Sequence, residues 1–349
     1  MPKGYSVDVT KAVGHVFAAD TVACTKRDYL LYALSVGVPE EDLRWLYELD
    51  IDFGPLPTYP LCLLLKADDW DVNSFVERWS VGGPLPGVPP YDPNQILHGG
   101  QSLEVMVPFP EEGGRFKSLK KCTGVYDKGS GMVLEMTVDL FGEQDDVHYC
   151  RMITSMFVRG CGGWDGPKGP KLTLYTPPDR VPDAVDHFYT SRNQALLYRL
   201  SGDFNPLHAD PSVALSVGFP RPILHGLCSY GKSSHAILKH FGNSDRLRFK
   251  SISARFAQPV LPGETVTIDM WQVEELPNSQ TATTTATVTA TATATETKTQ
   301  TKTKTAATAA TAATTSTLVS VIFQARVGDR IVLNNGFAVL TKSTNESKL

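Results

Sequence analysis

The feature that most constrains the fold is internal repetition. Leu-Leu-Tyr-Ala-Leu-Ser at residues 30–35 recurs as Leu-Leu-Tyr-Arg-Leu-Ser at 196–201. Gly-Gln-Ser-Leu-Glu-Val-Met at 100–106 is matched, in the same order and at nearly the same separation, by Gly-Glu-Thr-Val-Thr-Ile-Asp at 263–269. A duplicated module is the economical explanation, so one architecture built twice is expected. A third match, Ile-Leu-His-Gly at 96–99 and again at 223–226, is a false repeat. The first copy runs into strand-like alternation and the second into helical spacing.

A Gly- and Pro-rich stretch at 159–172 divides the chain into halves at 1–158 and 173–346. From 281 to 317 Thr alternates with Ala, Lys or Glu and then gives way to Thr-Ala-Ala units. Thr favours strands, but no large side chain is present to offset the entropy of ordering. This segment is expected to be a disordered, solvated insertion between strands at 264–272 and 318–327, which loop-closure entropy tolerates. In the second half Asp210 is a good N-cap, Pro211 a first helical residue and Gly218 a stop. A buried helix of about four turns is expected from 226 to 241, ended by Gly242. Further strands are expected at 249–259 and 330–340. Strands following a helix through short turns suggest an antiparallel sheet wrapped round that helix.

The 349 residues are 42% hydrophobic and 20% charged, in the range of globular proteins. No apolar run reaches the length of a membrane span, and the longest, Leu61-Cys62-Leu63-Leu64-Leu65, is core-sized. A net charge of −4 argues against nucleic acid as a partner, so an anionic ligand would need a local basic cluster. Six scattered cysteines lack metal-ligand spacing and fit a reducing compartment. The first thirty residues lack a basic start followed by an apolar core. Ser347, Lys348 and Leu349 form the peroxisomal import address, which implies the peroxisome matrix and an import receptor as partner.

The densest group of reactive residues lies at 201–211. Asp203, Asn205 and His208 fall within six positions, and Gly202 and Pro206 make the segment a loop. An aspartate and a histidine in reach of one another can share general acid and base work, with Asn205 orienting water or a partner. Turn and capping chemistry alone would also explain these residue types. Gly226, opening the buried helix, offers a backbone N–H where negative charge is favoured, which is what an oxyanion site needs. His225 before it reads as a structural histidine. Arg255 and Phe256, at a strand end, could hold a phosphate and an apolar stem, although an ordinary exposed arginine on a strand would also explain Arg255.

Taken together, Tyr-Arg-Leu-Ser-Gly-Asp-x-Asn-Pro-Leu-His-x-Asp-Pro at 198–211 and Gly-Phe-x-x-Pro-Ile-Leu-His-Gly-Leu-Cys at 218–228 resemble the MaoC-like (R)-specific enoyl-CoA hydratases. Tyr32 to Gly37, Leu56-Pro57-Thr58, Leu97 to Gln101 and Asp127 to Gly131 fit the first half of that family, and Arg255 to Gly263 fits its last strands. The Thr-rich insertion and the long stretch at 66–95 depart from it. The resemblance implies an α+β double hot-dog fold, in which antiparallel sheets each wrap a long central helix. It implies Asp203 and His208 as the catalytic pair, Asn205 in support and the Gly226 N–H as oxyanion donor. Acyl-CoA contacts carry over to His98, Gly99, Lys128, the 203–208 loop, Gly226 and Phe256; Arg255 is added as a phosphate partner on charge alone. The expected reaction adds water to a trans-2-enoyl-CoA to give a (3R)-3-hydroxyacyl-CoA in peroxisomal fatty-acid β-oxidation, with no metal or redox cofactor, and the protein is expected to form a homodimer. The repeat puts Gly37 opposite Asp203 and Asp42 opposite His208, so the first half lacks the pair and is expected to widen a tunnel for the acyl chain. A hot-dog thioesterase remains an alternative, as does a non-catalytic acyl-CoA binder should the insertion distort the sheet.

Overall fold

The structure is a computed structural model and describes residues 6–75, 77, 83–92, 95–273 and 318–342. The insertion at 281–317 and the terminal Ser347, Lys348 and Leu349 lie outside the described residues. The helices are α1 (Val9–Ala12), α2 (Lys26–Ser35), α3 (Leu43–Leu46), α4 (Pro60–Lys66), α5 (Gln194–Tyr198), α6 (Pro211–Ser216) and α7 (Gly226–Phe241). The strands are β1 (Asp20–Thr25), β2 (Ile96–Val105), β3 (Gly113–Asp127), β4 (Gly131–Gly142), β5 (His148–Arg159), β6 (Ala184–Tyr189), β7 (Phe249–Phe256), β8 (Thr265–Val273), β9 (Leu318–Val327) and β10 (Arg330–Thr341).

The ten strands among the described residues join one antiparallel sheet in the order β1-β3-β4-β5-β2-β7-β10-β9-β8-β6. The first five and the last five have the same order, mirrored about the β2–β7 seam, where Gly100 pairs with Arg255 and Glu104 with Ser251. This is the double hot-dog arrangement, with the two sheets fused into one. The topology corrects one of the sequence matches. β2 corresponds to β7 and β3 to β8, so the segments at 100–106 and 263–269 are not equivalent; both are simply a Gly followed by strand alternation. The match at 30–35 and 196–201 is real. Its two copies meet, with Ser35 Oγ 3.2 Å from Ser201 Oγ and the rings of Tyr32 and Tyr198 6.2 Å apart.

Helix α7 starts and stops where its sequence requires, Gly242 following its last turn. Twelve of its residues are buried. Leu227, Tyr230, Ile237 and Leu238 each contribute about 1.5–3 kcal/mol of burial against the sheet. Gly231 lets Tyr32 of the first half pack against it, since a Cβ there would lie 2.5 Å from the Tyr32 hydroxyl. The corresponding helix of the first half, α4, has only seven residues, so the expectation of a long helix in each half holds only for the second among the described residues. Asn73 explains the early stop: its side-chain amide donates to the carbonyls of Leu65 and Lys66 at 3.1 and 3.3 Å, capping α4.

The insertion leaves the sheet intact, because β8 and β9 on either side of it pair without a register shift from Thr267–Arg326 to Val273–Ser320. The connection between the halves runs without regular structure over 160–183, longer than the 159–172 read from composition. It is strapped at both ends. Asp127 Oδ1 accepts from the N–H groups of Gly129 and Gly163 at 2.8 and 2.7 Å. Asn335 holds Thr173 and Tyr175 by their backbones, and the Tyr175 ring stacks on Phe337 at 4.3 Å. No helix among the described residues is long and apolar enough to cross a membrane.

Candidate active site

The reactive loop is built by local turn chemistry. After α5 the chain makes a 3-10 turn at Arg199–Ser201 and reverses at Gly202, whose φ is +128°. A Cβ at Gly202 would also lie 2.7 Å from the backbone nitrogen of Lys66, so only glycine fits. Asp203 Oδ1 then accepts from Asn205 N at 3.2 Å and Asn205 Oδ1 from Leu207 N at 3.0 Å, which sets up the 3-10 turn Pro206–His208. Asp210 caps α6 through Ser212 N at 2.7 Å. The capping reading of these residues is therefore correct as far as it goes, and it fixes where Asp203 and His208 point.

His208 donates from Nδ1 to the Ile223 carbonyl at 2.8 Å. In the neutral ring this leaves Nε2 as a lone-pair acceptor. The ring stacks on His225 with centroids 3.6 Å apart. His225 Nε2 donates to the Asp203 carbonyl at 3.1 Å and lies 3.9 Å from Asp203 Oδ2. Burial pushes the Asp203 carboxyl up from its ordinary value, with His208 pulling it partly back. Burial pushes His208 down, opposed by Asp203 and the Ile223 carbonyl, and pushes His225 well down. The electrostatics thus favour a neutral imidazole beside a carboxyl that holds its proton more readily than in water.

Gly226 opens α7, and its N–H, first in the helix, has no intrahelical acceptor. A Cβ on Gly226 would lie 2.6 Å from the Phe256 ring. On Phe256 rests the ring of His98, 4.4 Å away. His98 Nε2 lies 3.1 Å from Gln101 Oε1, which also accepts from the Thr154 hydroxyl at 2.9 Å. Burial pushes His98 down to about 4.

Asp203, Asn205, His208, Gly226, His98 and Phe256 all line one cavity of about 970 Å³. From these residues it extends beneath the first half, walled by Leu61, Leu64 and Leu65 of α4 and by Met136, Val138, Met152 and Met156 of β4 and β5. Three expected contacts fall outside the lining. Gly99 packs against β5, where a Cβ would meet the Ser155 carbonyl at 3.2 Å. Lys128 sits at the β3–β4 turn and donates to the Lys168 carbonyl of the connection. Arg255 is exposed, because strand alternation turns it away from the face that carries Ala254 and Phe256. Sequence reasoning missed His225, whose ring lines the cavity and whose Nδ1 is buried with no hydrogen-bond partner. Its only sequence signal was its place before Gly226. Asp203, His208 and His225 bring one carboxylate oxygen and two ring nitrogens within 4.8 Å of one another, a donor set that could hold a metal ion.

Comparison with known proteins places two family models on the chain. A MaoC like domain covers residues 174–298 and an MFE-2 hydratase 2 N-terminal domain covers 23–160. The chain is 38% identical over 270 residues to a probable enoyl-CoA hydratase 2 of Dictyostelium discoideum, an alignment spanning 77% of this chain and 88% of that protein. It is 40% identical over 268 residues to peroxisomal multifunctional enzyme type 2 of Mus musculus, covering 75% of this chain but 34% of that protein. A crystal structure of a MaoC-like dehydratase from Phytophthora capsici superposes with a TM-score of 0.77 at 34% identity, over 97% of this chain and 99% of the other.

Proposed function

The chain belongs to the MaoC-like hydratases, and on that premise we propose that it is an (R)-specific 2-enoyl-CoA hydratase acting in peroxisomal fatty-acid β-oxidation. One observation carries the reading: a carboxyl, an imidazole lone pair and a helix-opening N–H converge at one end of a long, mostly apolar cavity. That is the equipment needed to add water across a conjugated thioester.

The thioester oxygen accepts from Gly226 N–H, where charge accumulates as C3 is attacked; one such donor is worth about 3–4 kcal/mol. Water lies between Asp203 and His208. His208 Nε2 takes its proton, since Nδ1 is committed to the Ile223 carbonyl, and the oxygen bonds to C3. C2 takes a proton from the Asp203 carboxyl, and the imidazolium returns its proton to the carboxylate, so the protein ends as it began. Both additions come from one side and give a (3R)-3-hydroxyacyl-CoA. His225 holds the Asp203 backbone and stacks on His208, keeping the two groups in register. The reaction uses no metal or redox cofactor, and treatment with a chelator leaves its rate unchanged. The protein works as a homodimer in the peroxisome matrix, delivered by the import receptor through Ser347, Lys348 and Leu349.

The test is hydration of trans-2-decenoyl-CoA by the pure protein, followed as loss of enoyl absorbance, with the product resolved on a chiral column. The (3R) alcohol is expected. Release of free thiol would mark a thioesterase instead, and an (S) product or unchanged absorbance would refute the assignment.

A further inference from the structure

The first half covers the inner face of its strands in two ways. Over one part lies α4, where Leu61 and Leu63 share the main core with Val138, Leu140 and Met152. Over the other, residues 83–92 pass without regular structure. There Leu85 and Val88, only 7% and 9% exposed, share a separate buried cluster with Phe17, Val125, Leu134 and Met136. Leu85, Val88, Phe17 and Met136 also line the cavity, whereas Val125 and Leu134 do not. This strap is therefore where the cavity gives way to core.

The strap is fixed from behind. Asp8 N donates to the Gly87 carbonyl at 2.7 Å. Gly87 turns with φ +78°, and a Cβ there would run into the Asp8 carbonyl. Asp8 in turn caps α1, accepting from Lys11 N at 3.3 Å. Beyond α1 the chain is bonded to β3, Gly14 N donating to the Cys122 carbonyl at 2.9 Å and Cys122 N to the His15 carbonyl at 3.0 Å. Leu85 and Val88 can retreat only by breaking these bonds.

Register measures how far the strap stands from the chemistry. Arg255 pairs with Gly100, which puts Phe256 level with Gly99 and His98. His98 pairs with Met156, and Met156 with Leu134. From Phe256, against Gly226, to Leu134 in the strap's cluster is three strand steps, about 14 Å at the spacing of paired strands. An extended chain advances about 1.2 Å per backbone atom, so about twelve atoms span that distance.

We propose that Leu85 and Val88 are specificity-determining residues of the acyl site: they meet an extended chain near its twelfth carbon, and their bulk decides how well longer chains are turned over. The inference rests on the hydratase reading and adds what selects the substrate within it. A packed, backbone-anchored wall gives way little to extra methylenes, so chain length is read by steric fit.

The test measures kcat/KM for trans-2-hexadecenoyl-CoA as a ratio to trans-2-hexenoyl-CoA, whose chain ends well short of the strap. Leu85→Trp should lower that ratio about tenfold, mostly through KM. The double variant Leu85→Ala with Val88→Ala should raise it about threefold. Leu85→Met, of similar volume, should keep the parent's ratio. Taking the ratio within each variant cancels any loss of folded protein, and the alanine pair tests the wall from the other side should the tryptophan variant fail to fold. An unchanged ratio in the tryptophan or the alanine variant, or a shift in the opposite sense, would overturn the proposal. If hexenoyl-CoA itself is not hydrated by the parent, the hydratase reading fails and this inference falls with it; if it is hydrated and the ratio ignores residues 85 and 88, only this inference fails.

Discussion

The two halves present the same loop and helix start at a constant offset of 166 residues, the separation of Ser35 and Ser201. Gly37 stands where the second half has Asp203, Asp42 for His208, Tyr59 for His225 and Pro60 for Gly226. Each exchange removes a group that the proposed mechanism uses. Pro60 opens α4 as Gly226 opens α7, but a proline has no N–H to give an oxyanion. Gly37 supplies no carboxyl and turns with φ +75° against the Phe188 ring. Asp42 leaves its loop position to bond His235 at 3.0 Å. Meanwhile Leu61, Leu64 and Leu65 of the same short helix line the cavity that Asp203, His208 and Gly226 also line. On the proposed reading one fold hosts both a reaction centre and an acyl wall, and a few side chains decide which.

The sharpest way to break this comparison is to strip the second half of its pair. Asp203→Ala and His208→Ala should each lower kcat for enoyl-CoA hydration about a thousandfold, the scale of a lost acid or base, with little change in melting temperature. Near-normal turnover in either variant would make the second loop as silent as the first. Next in size is Gly226→Ala. It keeps the N–H but puts a Cβ 2.6 Å from the Phe256 ring, so the helix start or the ring must move. A loss of about a hundredfold in kcat is expected, partly recovered when Phe256→Leu is added. No recovery would mean that the ring is not what Gly226 accommodates.

The converse experiment gives the first half an aspartate. Gly37→Asp should yield no second active site, because Asp42 and Pro60 still stand where a histidine and an N–H are needed. It should cost about 2 kcal/mol or more in chemical denaturation, since the position is left-handed and a Cβ would overlap the Phe188 ring. An unchanged denaturation midpoint would show that this loop is less tightly specified than its partner.

Much of this was readable from residues alone, and the failures have physical causes. Helix α7 and strand β9 fall where periodicity and glycine stops put them, because a fully buried helix and an edge-free strand leave the strongest patterns. Asp203, Asn205, His208 and Gly226 were legible because turn formers and a helix-opening glycine were needed to build the loop itself. The wall of the cavity was not, since leucine and methionine facing a ligand look the same as leucine and methionine facing a core. His225 was passed over for a similar reason: a buried histidine before a glycine carries no mark of what its other nitrogen faces. Arg255 was judged by charge, whereas strand alternation decided its side. The false equivalence of 100–106 with 263–269 arose because two-residue alternation carries no information about sheet order.

The smallest effect lies where the halves are tied together. His235 on α7 donates from Nε2 to Asp42 Oδ2 at 3.0 Å, and its Nδ1 accepts from Lys232 at 3.4 Å. Lys232 in turn lies 3.7 Å from Asp186 and donates to the Gly37 carbonyl at 3.3 Å. Burial holds the His235 ring below its ordinary range, with Asp42 opposing and Lys232 reinforcing. The unfolded chain therefore binds a proton here that the folded protein refuses, so stability is greatest above about pH 6.5 and falls as pH drops toward the folded value. His235→Gln keeps a donor toward Asp42 and an acceptor toward Lys232 but cannot be protonated. At pH 7.5 the variant should be about 1 kcal/mol less stable by urea denaturation, a packing cost alone. By pH 5.5 the gap should close or reverse, because only the parent carries the acid penalty of this ring. A gap that stays constant across that interval would show that His235 ties the halves together by shape and not by its protonation state.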